Sequence, residues 1–343
     1  MTNRKIAIVE FNTWHGECLT PQIAYLKAHG DDITLICPRR TTSAIDKSVL
    51  DGIDIIICPE KKGMANVWHV WRLLRRGGYD AIILNTAQGS ECLKLCLLPK
   101  PRRSVIVGTI HNLKKLTHSF GQRHVVRRLD GILVIAPYLV PHIPPTGIPT
   151  AYYSPLPAAT ATSQIDKGGD RWIVVPGNVE FKRRNYSSLI DIAKAAKGRA
   201  VKFIVLGNSQ KADGPEFRKT VCEAGLDEMF IFFDSFVDSE TFDAHVVAAD
   251  YLLPLIDDKL PSGADYLTNK TSGTFSLAAR FGKTMLCHKT LTPLAPFYPC
   301  VFYDTTEDLL SAVELGKQTT AKPLDFNEEA ERYNTFIDNI ISK

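Results

Sequence analysis

The chain has 343 residues, of which 45% are hydrophobic and 23% charged, with a formal net charge of +4. This composition fits a soluble globular chain of two medium-sized domains and excludes a disordered segment, a fibre or a disulfide-stapled miniprotein. No apolar run approaches the roughly 18 residues of a spanning helix, and MTNRKIAIVEFN enters a strand-like run rather than a secretory leader, so a cytoplasmic protein is expected.

Charge is uneven. Residues 1–150 hold 20 Lys and Arg against 11 Asp and Glu, a net of +9, and the remainder holds 21 against 26, a net of −5. A basic front half suggests an anionic surface or partner. Eight cysteines, at 18, 37, 58, 92, 96, 222, 287 and 300, form no C-x-x-C pair, and buried reduced thiols are expected.

In chain order, short β-rich runs alternate with amphipathic stretches. KIAIVEF (5–11) is followed by a helical pattern ending at Gly30, then ITLICP (33–38) and DIIICP (54–59). NVWHVWRLLRRGG is a second helix, stopped at Gly77–Gly78. AIILNT (81–86), SVIVGTIH (104–111) and GILVIA (131–136) complete the first half. These continuous apolar runs predict a parallel sheet covered on both faces. A Pro-, Ala- and Thr-rich stretch over 156–170 reads as a linker.

The second half repeats the scheme. Its predicted strands are 171–177, 202–207, 229–235, 251–256 and 284–288, with helices near 185–197, 215–224, 239–248 and 272–281. The fold class is therefore α/β, with two doubly wound Rossmann-like domains facing a central cleft. The expected division is 1–155, the linker, 171–320, and a terminal segment 321–343 whose helix returns to the first domain.

In open α/β sheets ligands bind beyond the carboxyl ends of the strands, so the chemistry is expected in the loops there. In VVPGNVEFKRRN, Lys182, Arg183 and Arg184 stand just before a helix start, an arrangement that favours an arriving phosphate. A solvated basic turn is the alternative. Thr271, Ser272 and Gly273 open another helix, where they cradle a phosphate or act as an ordinary cap. After the first strand, Gly16 permits close ligand approach, with His15 and Glu17 beside it. His111 ends a strand and is expected to point into the cleft. Asp257, Asp258 and Asp265 read as a solvated loop rather than a cation site. No dinucleotide fingerprint, P-loop, zincin motif or nucleophile elbow is present, and no His/Cys cluster has metal-ligand spacing.

Taken together, SVIVGTIHNL with DGILVIAPYLVPHI, YYSPLP, GNVEFKRRN, FDSFVDSETFDAHVVAADYLLPLID and TFSLAARFGKTML resemble, in order and spacing, a GT-B glycosyltransferase of the group-1 (family 4) branch. The family's paired glutamates fall at Asn269 and Leu277, neither acidic. The resemblance implies a metal-independent transferase without a cofactor. Its nucleotide-diphosphate sugar would be held by Asn178, Lys182, Arg183, Arg184, Asn269, Thr271, Ser272 and Gly273, with Gly207, Asn208, Ser235, Phe236 and Val237 around the base and Gly16 beside the donor. His111 and Glu17 would face the acceptor hydroxyl, under either retention or inversion.

The implied acceptor is a glycan, glycolipid or lipid-linked molecule in surface polysaccharide or glycolipid synthesis. A GT-B-like sugar-nucleotide epimerase and a non-catalytic nucleotide- or glycan-binding protein are the alternatives. The aromatic-basic mix of VWHVWRLLRR points to an anionic membrane surface as a partner, at the inner face of the membrane, against a helix whose Trp residues pack inward. No nucleic-acid module is recognisable.

Overall fold

The computed structural model describes residues 3–13, 15–43, 45–155 and 164–343. The chain divides into two compact units: residues 1–157 with 268–270 and 325–343, and residues 158–267 with 271–324. Most of the 156–170 stretch read as a linker lies outside the described residues.

The first unit holds strands β1 (Lys5–Val9), β2 (Asp32–Pro38), β3 (Asp54–Cys58), β4 (Ala81–Leu84), β5 (Val105–Thr109), β6 (Gly131–Val134) and β7 (Thr150–Tyr152). They form one parallel sheet in the order β3-β2-β1-β4-β5-β6-β7. Its helices of seven residues or more within residues 1–157 are α1 (Leu19–His29), α2 (Met64–Gly77), α3 (Ser90–Leu97) and α4 (Phe120–Val126).

The second unit holds β8 (Arg171–Pro176), β9 (Val201–Asn208), β10 (Phe230–Phe233), β11 (Tyr251–Leu252), β12 (Met285–His288) and β13 (Cys300–Tyr303), in the parallel order β10-β9-β8-β11-β12-β13. Its helices are α5 (Tyr186–Ala195), α6 (Gly214–Glu223), α7 (Ser239–Ala248), α8 (Gly273–Phe281) and α9 (Thr306–Glu314). In both sheets the order reverses after the first strand of the unit, the arrangement of a doubly wound fold.

The central strands are apolar on both faces, and β1, β4, β6 and β8 are buried almost throughout. The edge strand β3 departs from that pattern: Ile55 and Ile57 are each 40% exposed, because an edge strand has neighbours on one side only. The run 251–256 is a strand only over Tyr251–Leu252; Pro254 follows and Leu255 adopts φ +54, which takes the chain out of the ladder. Residues 325–343 belong to the first unit, where α10 (Phe326–Ile341) packs on α1. Tyr333, Ile337 and Ile340 enter the same core as Ile23 and Leu26. Arg4 ties α10 to the turn after α1 by pairing with Asp31 and with Asp338 (2.8 Å).

Seven of the eight cysteines are buried free thiols, and Cys222 is exposed. Of the two tryptophans on α2, Trp71 points inward and donates its ring N–H to the Pro99 carbonyl (2.9 Å), while Trp68 remains outside.

Candidate functional site

In the second unit the site begins where β8 runs out. Pro176 ends the strand and Gly177 turns the chain at φ +93, in the left-handed region that favours glycine. Asn178 then reaches across to β9, its Oδ1 accepting from the Asn208 N–H (3.0 Å). Gly207 passes so close to Gly177 and Asn178 that only a hydrogen fits between the two backbones.

Arg184 returns over this turn. Its Nη1 donates to the Asn178 carbonyl (3.3 Å), so the half-buried guanidinium is held against Gly177. Arg183 is committed to Glu180 at 3.4 Å. Among the described residues, neither Lys182 nor Arg184 has a carboxylate within 4 Å. The turn therefore presents two uncompensated cations, one held in place and one free to reach.

The N-terminus of α5 is already capped. Asn185 Oδ1 accepts from the Ser188 N–H (3.2 Å), and its amide donates to Asp257 (2.6 Å). The cations thus do not face a bare helix end, as the sequence suggested, and Asp257 is buried in this network rather than solvated. A cavity of about 210 Å³ adjoins Arg184, lined by Phe181, Tyr186, Phe217 and Lys259.

Thr271–Gly273 open α8, with Ser272 capping the Thr274 N–H at 3.4 Å. The Thr271 hydroxyl is buried with no hydrogen-bond partner among the described residues. Since α8 lies between β11 and β12 in the chain, its first turn sits at the carboxyl edge of the sheet, like the 177–184 turn. Ser235, Phe236 and Val237 form the loop after β10, where Phe236 is exposed. Asn269 belongs to the first unit, its carbonyl accepting from the Leu113 N–H (2.8 Å).

The other candidate residues surround the loop after β1. His15 has φ +63, a strained value for a side chain with a Cβ, and it stacks on His111 with ring centroids 3.9 Å apart. His111 is buried: Nε2 meets the Asn85 carbonyl at 2.8 Å, while Nδ1 is sealed from solvent without a partner among the described residues. The hydrogen bond to a carbonyl requires the proton on Nε2. Burial, with the neighbouring His15, pushes this imidazole down to about 3, so it is neutral. His111 therefore does not open toward a ligand as its place at a strand end suggested.

Glu17 is the exposed member, 3.5 Å from His15 Nδ1. Desolvation works against its charge, but the His15 ring and its own backbone N–H outweigh that and hold the carboxyl below its usual range. Gly16 is buried in the short turn that carries Glu17.

Beneath lies a polar network that the sequence reading missed. Glu10 accepts from Asn85 Nδ2 (2.7 Å) and the Thr86 hydroxyl (2.6 Å), and Gln22 donates to Asn85 Oδ1 (2.7 Å). Burial pushes the Glu10 carboxyl up despite those donors. A carboxylate inside the apolar run KIAIVEF was the available signal, since a buried charge must find partners.

His15, Cys18 and His111 bring donor atoms within 4.8 Å of one another. They do not form a metal site as placed. A metal lies in the plane of each imidazole that binds it, and two rings stacked at 10° cannot share one.

No protein-family model and no curated protein sequence matches the chain. Solved structures do. The catalytic domain of starch synthase IV from Arabidopsis thaliana, bound to ADP and acarbose, aligns over 100% of both chains with TM-score 0.68 and 11% identity. HepE from Anabaena in complex with UDP-glucose aligns over 99% of this chain and 95% of its own, with TM-score 0.60 and 13% identity. A putative UDP-N-acetylglucosamine 2-epimerase from Listeria monocytogenes aligns over 98% and 96%, with TM-score 0.62 and 9% identity. The chain has the two-domain GT-B fold that these proteins share.

Proposed function

We propose that the protein is a glycosyltransferase that moves a sugar from a nucleotide-diphosphate donor to an acceptor hydroxyl. The observation that carries the reading is the pair of uncompensated cations, Lys182 and Arg184, on the turn at the carboxyl edge of the second sheet, in a fold shared with enzymes solved with UDP-glucose and with ADP.

As the glycosidic bond breaks, the leaving nucleoside diphosphate gains negative charge. Arg184, already oriented by Asn178, meets that charge with a planar pair of donors, and Lys182 adds a mobile one. The Gly273 N–H at the start of α8 and the free Thr271 hydroxyl complete the phosphate cradle. Holding Arg184 in place before the reaction lowers the reorganisation the charge demands.

In the first unit Glu17 is the group suited to take the acceptor proton, because it is exposed, ionised and oriented by His15. His111 supports His15 from below and stays neutral.

The test is a donor screen. Incubation with common UDP, GDP and ADP sugars should show thermal stabilisation by one of them and slow release of its nucleoside diphosphate. Interconversion of the sugar without release indicates the epimerase chemistry of one structural neighbour instead. Arg184→Ala should weaken binding of the stabilising nucleoside diphosphate about 10- to 100-fold, the loss of a charge-assisted pair. Unchanged affinity removes the diphosphate assignment.

A further inference from the structure

Sugar transfer does not account for one surface of the first unit. Helices α2, α3 and α4 lie side by side, with α3 packed between the other two. Their outer residues include Met64 (50% exposed), Trp68 (47%), Leu97 (59%) and Phe120 (81%). Exposed arginines lie on the same helices and in the segments that follow them: Arg72 and Arg76 on α2, Arg102 and Arg103 beyond α3, and Arg123 and Arg127 on and after α4. Between residues 60 and 130 the chain carries 14 Lys and Arg against 4 Asp and Glu. Two of those four carboxylates are already engaged: Glu91 is buried against Lys94 (3.0 Å), and Asp130 pairs with Lys100.

The outward aromatics are braced. Trp68 stacks on the anchored Trp71 with ring centroids 4.6 Å apart, and the Arg123 guanidinium lies 5.9 Å from the Phe120 ring. Large apolar side chains on a surface this basic stay in water only at a cost, so a partner with both anionic and apolar character is called for.

We propose that this three-helix face docks the protein on an anionic lipid bilayer. Trp68 and Phe120 enter the headgroup layer, while the arginines meet lipid phosphates and release their counterions. A second copy of the chain is disfavoured as the occupant, since two such faces repel each other. Nucleic acid would satisfy the cations but gain nothing from the aliphatic Met64 and Leu97. The proposal stands independently of the sugar-transfer reading, because none of these residues lies on the donor turn or beside Glu17.

The experiment is co-sedimentation of the full chain with phosphatidylcholine vesicles, with and without phosphatidylglycerol, at low and high salt. Binding should require phosphatidylglycerol and fall at high salt. The variant Arg72→Gln/Arg103→Gln/Arg127→Gln, whose replaced side chains make no hydrogen bond or ion pair with the described residues, should lower the partition coefficient roughly a hundredfold, at about fivefold per cation. Trp68→Ser/Phe120→Ser should also weaken binding. Melting curves and nucleotide binding of both variants should match the wild type, which separates loss of docking from loss of fold. The proposal is overturned by no binding to phosphatidylglycerol vesicles at low salt, by equal binding to neutral vesicles, by wild-type binding of the triple variant, or by a duplex DNA fragment binding where the vesicles do not.

Discussion

Gly207→Ala tests the geometry that positions the donor turn. A Cβ at this position would stand 2.4 Å from the Gly177 carbonyl carbon, 2.5 Å from its oxygen and 2.7 Å from the Asn178 nitrogen. Ordinary contact begins at 3.4 Å, so the 177–178 turn must retreat by about 1 Å. All three atoms are backbone, and no side chain can rotate aside. Overpacking of this kind costs about 1–3 kcal/mol, and losing the Asn208–Asn178 bond adds about 1 kcal/mol. The expected loss is therefore about 2–4 kcal/mol in urea unfolding, together with weaker nucleoside diphosphate binding as Arg184 loses its seat. Gly273→Ala is the companion variant. Its Cβ meets nothing within 4 Å, so stability should stay within about 0.5 kcal/mol of wild type. Binding should nevertheless fall, because the new methyl occupies the approach to the first turn of α8. If Gly207→Ala unfolds at the wild-type midpoint, the two strand ends do not approach as described, and the argument for a preset Arg184 fails.

Two further predictions concern the first unit and the thiols. His111 stays neutral down to about 3 in the folded chain, whereas the unfolded chain takes up that proton near the ordinary value of 6.5. Its contribution to stability is thus complete above pH 6.5 and drains as the pH falls, by up to ~1.4 kcal/mol per pH unit. Stability of His111→Gln, measured against wild type from pH 7 to pH 4, should lack that slope; parallel profiles would contradict the burial argument. A thiol reagent applied to the native protein should modify Cys222 rapidly and the seven buried cysteines only after denaturation. Rapid reaction of a second thiol would mean that a core described as closed opens readily.

Much of the fold could be read because buried parallel strands announce themselves as unbroken apolar runs. DITLICP and RWIVVP became the strands β2 and β8 within a residue of their apolar limits. Shorter elements hid for opposite reasons. TAY at β7 is three residues beside a proline-rich stretch, too brief for any period to show. Helix α9 does carry a signal, the capping box from Thr305 to Asp308, but no long apolar run marks a strand on either side of it. At the candidate site the sequence pointed to the cations of the 177–184 turn but not to their division of labour. That Arg183 is spent on Glu180 while Arg184 rests on Asn178 depends on how the 177–184 turn coils, which composition does not encode. The stacking of His15 on His111 was equally hidden, since it needs a left-handed backbone at a residue that seldom adopts one.

The placement of α10 bears on how the molecule is made. The strands of the first sheet all lie within residues 5–152, yet part of its apolar face, at β5 and β7, is covered by residues 326–341. A nascent chain stopped anywhere before residue 325 carries Tyr25, Ile23 and Leu26 with their lid still unsynthesised. Translation of the whole second unit intervenes before that lid exists, so the first sheet, made before the second, is finished after it. Fragments ending near residue 155 should accordingly be sticky on chaperones and poor in yield, whatever the quality of the sheet they contain.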